Sequence, residues 1–271
     1  MAYIPLKVAW PLVVCLAAAS AAGDDACVSS APCYSEAGIV NAASFMRGAL
    51  SPNTIVAIFG SNLSYSTRAL VPDDVQGGKL PLQLAGVTVH IGPELAPLYF
   101  VSPTQINALI PGNLKTGNYE VRVVRDGWSG RGAVITLADS SPALFLMDST
   151  SAVASHPDFS VVTPGSPARP GSFVILWATG LGPVVPPPAA YAQLPVKLAW
   201  IERLAGFKVL LNGVPVEANR IGYAGIAPYL AGVYQINVNL PESLDRDPEV
   251  ALSLGDAVSP RGVRLAVGVK D

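Results

Sequence analysis

The sequence predicts an all-β protein built from two tandem β-sandwich domains related by internal duplication. Three observations predict it. Gly and Pro number 25 each in 271 residues, about 18% against roughly 12% in average usage, which leaves few uninterrupted windows for long helices. Short β-branched and aromatic segments recur at regular spacing between turn residues. Several motifs also occur twice, in the same order.

The segment Val56 to Leu63 (VAIFGSNL) resembles Val174 to Leu181 (VILWATGL), an offset of 118. Ala85 to Val89 resembles Ala205 to Val209, an offset of 120. Gln105-Ile106-Asn107 recurs as Gln235-Ile236-Asn237, and Ser129 to Gly132 as Ser259 to Gly262, both at 130. The growing offset places longer loops in the second copy, chiefly between Gly213 and Gly232. The expected organisation is a signal peptide at 1–22, a tail at 23–36, a first domain at 37–147, a linker at 148–157 and a second domain at 158–271. Strands are expected at 54–59, 87–91, 119–124 and 133–137, then at 172–177, 207–211, 234–240, 250–254 and 263–267. Residues 183–195, rich in Pro and Ala, read as an extended surface loop. Residues 198–204, with Trp200, Ile201 and Leu204, read as a short amphipathic helix.

Lys7 is the only charge before Asp24, and residues 8–22 form an apolar run broken by Pro11 and Ser20. The run closes in small residues, the pattern of a secretory signal peptide. It is shorter than the roughly 20 residues that span a bilayer; an uncleaved anchor is the alternative. The expectation is export to the periplasm, the cell surface or the medium, with no stable membrane span after cleavage. Cys27 and Cys33 are the cysteines beyond the signal, and in an exported chain two so close read as one disulfide.

Apolar residues are 51% and charged residues 13%, with a net charge of −2. That excludes a coiled coil, a disordered polyelectrolyte and a nucleic-acid binder held by phosphate contacts. It predicts a buried interface between the domains, with room for self-association.

Six motifs, in order, carry a family resemblance: residues 38–45 (GIVNAASF), 59–63 (FGSNL), 102–107 (SPTQIN), 167–171 (PARPG), 178–182 (ATGLG) and 234–237 (YQIN). Over about 38–268 the chain resembles the Solibacter-type uncharacterised C-terminal domain of secreted acidobacterial proteins. The strand ending in Gly-Ser-Asn-Leu is also similar to the IPT/TIG branch of immunoglobulin-like folds. The resemblance implies two immunoglobulin-like sandwiches in a secreted protein. It implies no catalytic residues.

Chemistry-bearing patterns are sparse. The two histidines, His90 and His156, lie in different segments, so they do not build a multi-histidine metal centre. Gly127-Trp-Ser-Gly130 lacks the last glycine of a nucleophile elbow, since position 131 is Arg131. No catalytic residue, metal or cofactor is expected. The repeated pairs Gln105/Asn107 and Gln235/Asn237 fall on the strand face opposite Ile106 and Ile236. They either tie neighbouring backbone, line the contact between the domains, or form a ligand-binding row. Tyr65, Trp128, Trp200 and Tyr229 are candidate exposed aromatics of the kind that grip sugars. The leading expectation is a non-enzymatic exported protein acting by binding, adhesion or envelope structure on a protein or cell-envelope polymer. A polysaccharide-binding module is the first alternative, and a periplasmic assembly chaperone or a hydrolase follows.

Overall fold

The computed structural model describes residues 30–268. The signal-peptide segment and Cys27 lie outside the described residues. The protein is all-β; the described residues hold three short 3-10 turns and no α-helix. No helix among them is long and apolar enough to cross a membrane.

The first half carries β1 (Cys33–Asn41), β2 (Ile55–Ser61), β3 (Arg68–Ala69), β4 (Val87–Ile91), β5 (Glu94–Leu95), β6 (Leu98–Val101), β7 (Gln105–Leu109), β8 (Gly117–Arg125), β9 (Trp128–Ser129) and β10 (Ala133–Leu137). They make one sheet of order β1-β2-β7-β6-β3 and a second of order β10-β8-β4-β5, with β9 on β8. The second half carries β11 (Ala143–Leu144), β12 (Ala154–Ser155), β13 (Phe173–Thr179), β14 (Val184–Val185), β15 (Ala199–Ile201), β16 (Phe207–Leu211), β17 (Val214–Pro215), β18 (Ile221–Ile226), β19 (Tyr234–Asn239), β20 (Val250–Leu254) and β21 (Ala257–Val258). Here the large sheet runs β13-β19-β18-β15-β14, with β11 and β12 both on β13, and the small one runs β17-β16-β20-β21. The central orders β2-β7-β6 and β13-β19-β18 correspond, as do β8-β4-β5 and β20-β16-β17.

Each half closes over its own core. In the first, Val56, Ile58, Ile106 and Ala108 pack with Val87, Val89, Val121, Val123 and Ile135. In the second, Val174, Leu176, Tyr234, Ile236 and Val238 pack with Val209, Leu211, Val250 and Leu252. The small sheets face water on one side, so β4, β10 and β16 alternate buried with less buried residues, as a one-sided strand must.

The large sheets behave differently. Residues 55–59 of β2 are all buried, as are residues 174–179 of β13. The reason is a third core between the halves. Ile55, Ala57 and Phe59 of β2, Tyr99 of β6 and Leu109 of β7 pack with Phe145, Ile175, Trp177, Ala227, Ala231 and Val233. Polar bonds seal it: the Ile55 N–H donates to Thr179 Oγ1 at 3.1 Å, and the Tyr99 hydroxyl donates to Ala231 O at 2.6 Å. The longer second-half connection builds this contact. Residues 102–104 link β6 to β7, whereas residues 227–233 link β18 to β19. Within the longer turn, Gly232 sits with φ +76° where a Cβ would lie 2.5 Å from Leu109 and 2.7 Å from Ile55, so only glycine permits the approach.

Three expectations change. Residues 198–204 form no amphipathic helix; they make β15 and the 3-10 turn Leu204–Gly206. Ala199 and Ile201 point into the second core while Trp200 points out, which is period two. Residues 183–195 run along the surface as expected, exposed over 185–190, but they are anchored. They begin with β14 and then strap onto the first half: Leu80 N–H donates to Ala192 O, Leu194 N–H to Gly78 O, and the Tyr191 hydroxyl to Leu95 O. The expected strand at 263–267 makes isolated bridges from Arg264 and Val267. Residues 148–157 include β12, a strand of the second large sheet. Tyr191→Phe is expected to cost about 1 kcal/mol, read as a lower urea midpoint with unchanged slope.

Candidate functional site

The outward face of the second large sheet is built by register. Trp177 pairs with Gln235, Gln235 with Gly225, Gly225 with Trp200, and Trp200 with Val185. Directly paired residues share a face, so these five side-chain positions form one row across five strands. A second row sets Ile175 beside Asn237 and Asn237 beside Tyr223. At the β13 side the rows end under the third core, where Trp177 is only 1% exposed. Beyond it the face opens: Gln235 and Asn237 are partly exposed and Asn239 is exposed.

Trp200 is 38% exposed and meets the buried Tyr223 ring edge-on, centroids 4.8 Å apart at 68°. The Tyr223 hydroxyl donates to Ile226 O at 2.8 Å, stands 3.0 Å from Ala199 O and accepts the Ala199 N–H at 3.3 Å. Burial pushes that hydroxyl above its ordinary pKa. Tyr223 lies across Gly225, where a Cβ would come within 2.5 Å of its hydroxyl. A bare glycine therefore lets the tyrosine act as a floor that fixes the indole. Gln235 Nε2 donates to Asn237 Oδ1 at 2.9 Å, which orients both amides and leaves each with further donor and acceptor capacity. Trp200 and Gln235 stand two strands apart, roughly 10 Å, and Gln235 to Asn239 covers about 13 Å along β19. Asn239 continues into a recess of about 350 Å³ lined also by Gly171, Glu217, Asn219, Arg220 and Glu242. There Arg220 Nη1 donates to Leu240 O at 3.0 Å and Arg220 Nε stands 3.7 Å from Glu217.

The other expected residues are placed as follows. Gln105 and Asn107 make the same amide bond, Nε2 to Oδ1 at 2.8 Å. They are buried, at 4% and 1% exposure, on the β7 face whose neighbours Phe59 and Ala57 belong to the third core. Burial separates the two pairs: the same motif is enclosed in the first half and open in the second. Tyr229 is 45% exposed in the 227–233 turn, its N–H donating to Pro195 O. Tyr65 and Trp128 are 65% and 55% exposed in the first half, apart from the Trp200 rows. Cys33 opens β1 opposite Ser61. His90 is partly exposed in β4, and His156 Nε2 donates to Ser166 O at 3.1 Å. Among the described residues no cluster of three or more His, Cys, Asp or Glu is placed to hold a metal. Alternation along 235–240 already sets Asn239 on the face of Gln235 and Asn237; sequence reasoning missed Tyr223 and the charged recess, because strand order and turn folding bring them to the face.

No protein-family model matches the chain, and no curated protein matches it. Among solved structures the chain is similar to SGBP-B of a Bacteroides ovatus mixed-linkage glucan utilization locus, in complex with a mixed-linkage heptasaccharide, at 11% identity and TM-score 0.33, over 82% of this chain and 43% of that one. It is similar to a surface glycan-binding protein of Prevotella bryantii at 11% identity and TM-score 0.27, over 86% and 41%. It is also similar to tandem Ig repeats of Dlar at 11% identity and TM-score 0.22, over 81% and 92%. The chain spans less than half the length of the first two.

Proposed function

We propose that this is an exported, non-catalytic binding protein whose second sandwich grips a neutral polysaccharide across the Trp200–Gln235–Asn237 face. The observation that carries the reading is the registered row from Trp200 through bare Gly225 to Gln235. A pyranose ring has an apolar C–H face and an equatorial belt of hydroxyls. An indole held on edge by Tyr223 meets the first. Amides that both donate and accept meet the second. The flat face suits an extended chain better than a single small molecule, and the recess at Asn239 accommodates a branch or chain end. The resemblance to the Solibacter-type family, the origin of both sandwiches by duplication, the Cys27–Cys33 disulfide and a periplasmic or cell-surface location belong to the same proposal.

Titrating soluble plant and bacterial glycans against intrinsic tryptophan fluorescence tests it. A neutral glycan is expected to bind, and Trp200→Ala to lower its affinity at least tenfold, about 1.4 kcal/mol, at unchanged melting temperature. Asn237→Ala is expected to act in the same direction. Silence across neutral glycans, or binding indifferent to Trp200, rejects the assignment.

A further inference from the structure

We propose that the corner of the first sandwich around Arg125 is a second carbohydrate platform, selective for a carboxylate-bearing glycan such as a polyuronate.

Arg125 ends β8 on the inward parity of Val121 and Val123 and is 2% exposed. Its Nη1 donates to Asn62 O at 2.5 Å and its Nη2 to Ser30 O. Its guanidinium lies 3.8 Å from the centroid of the Tyr65 ring. Nε is buried without a hydrogen-bond partner. Among the described residues no carboxylate pairs with this cation. The adjacent Asp126 folds instead against Gly86, where a Cβ would lie 2.1 Å from Asp126 Oδ1. The nearby Arg122 is already paired to Glu120 at 2.5 Å. Among the described residues the cation is thus held by backbone carbonyls and a ring, and no carboxylate offsets its charge, a costly state for a buried ion.

Two open rings flank it. One face of Tyr65 rests on the guanidinium, while the residue remains 65% exposed. Trp128, 55% exposed, is the direct cross-strand partner of Arg125 across the tight turn Asp126–Gly127 (φ 45° and 84°), so it projects to the same side. The Tyr65 ring is held on the guanidinium before any ligand arrives, which lowers the ordering cost of binding. Two exposed rings beside a cation that no described carboxylate offsets fit a pyranose that carries a carboxylate. The corner lies past Ser61, the end of β2 opposite the Ile55–Thr179 contact, roughly 20 Å along the strand. It is therefore a separate site from the Trp200 face.

The test uses the full mature chain with oligogalacturonate and its methyl-esterified form, followed by calorimetry. Oligogalacturonate is expected to bind with an affinity that falls as salt rises. Tyr65→Ala and Trp128→Ala should each weaken it at least tenfold, and Trp200→Ala should leave it unchanged. The esterified form should lose at least tenfold. Arg125 itself is buried, so the two exposed rings and the salt series carry the test in folded protein. Equal binding of the esterified form, acidic-glycan binding indifferent to Tyr65 and Trp128, or no binding at all overturns the proposal. Loss of neutral-glycan binding on Trp200→Ala reports on the other face alone, so the two assignments fail independently.

Discussion

Trp177→Ala should lower the unfolding free energy by about 3–5 kcal/mol, the range for a large buried aromatic cut to alanine. The indole is 1% exposed in the third core, and its Nε1–H donates to Ser155 Oγ at 2.9 Å. Ser155 is itself 1% exposed, so truncation also strips a buried hydroxyl of a partner. The residue touches the contact between the halves, so the loss should appear in both at once. Denaturant curves followed by fluorescence and by circular dichroism should coincide, before and after substitution, at a lower midpoint in the variant. Calorimetry of the unaltered protein should give one transition. Two well-separated transitions would mean that the third core does not couple the halves.

Alkaline pH should have an effect of similar size. Burial pushes the Tyr99 and Tyr234 hydroxyls far above their ordinary value near 10, and burial followed by the Glu94 charge does the same to Tyr191. These groups stay protonated in the folded protein while the unfolded chain releases its protons. The stabilisation is whole below pH 10 and is lost as pH rises above it. Each fully buried tyrosine then removes about 1.4 kcal/mol per pH unit. Tyr99 donates from the first half to Ala231 and Tyr191 from the second half to Leu95, so both bonds cross between the halves. A pH series should show tyrosinate absorbance appearing late and together with loss of the native circular dichroism. Tyrosinate rising at pH 10 with the fold intact would mean these hydroxyls reach water.

The one-sided strands were legible from the sequence. Val87–Ile91, Ala133–Leu137 and Phe207–Leu211 alternate because one face is wet. Residues 55–59 and 173–177 were legible as strands, but apolar runs do not say what covers their second face. Residues 98–101, buried throughout, and 221–226, which contain two glycines, carry no alternation and passed unread. The helix expected at 198–204 rested on three apolar residues, too few to separate a period of two from 3.6. At the proposed binding face, Trp200, Gln235 and Asn237 stood out by type. Their meeting did not, because Trp200 and Gln235 are joined only through β18, and strand order is not written in local pattern. Arg125 was within reach: it continues the parity of Tyr119, Val121 and Val123, which places a charge on the buried side.

The connection at 227–233 and the strap at 186–195 reach back from the second half onto the first. Expressed by itself, either half would bare a broad greasy slab containing Phe59 and Tyr99 or Ile175 and Trp177, and should clump rather than dissolve. Ligands of the two proposed platforms would accordingly be presented at a fixed spacing, as on the jaws of a rigid caliper.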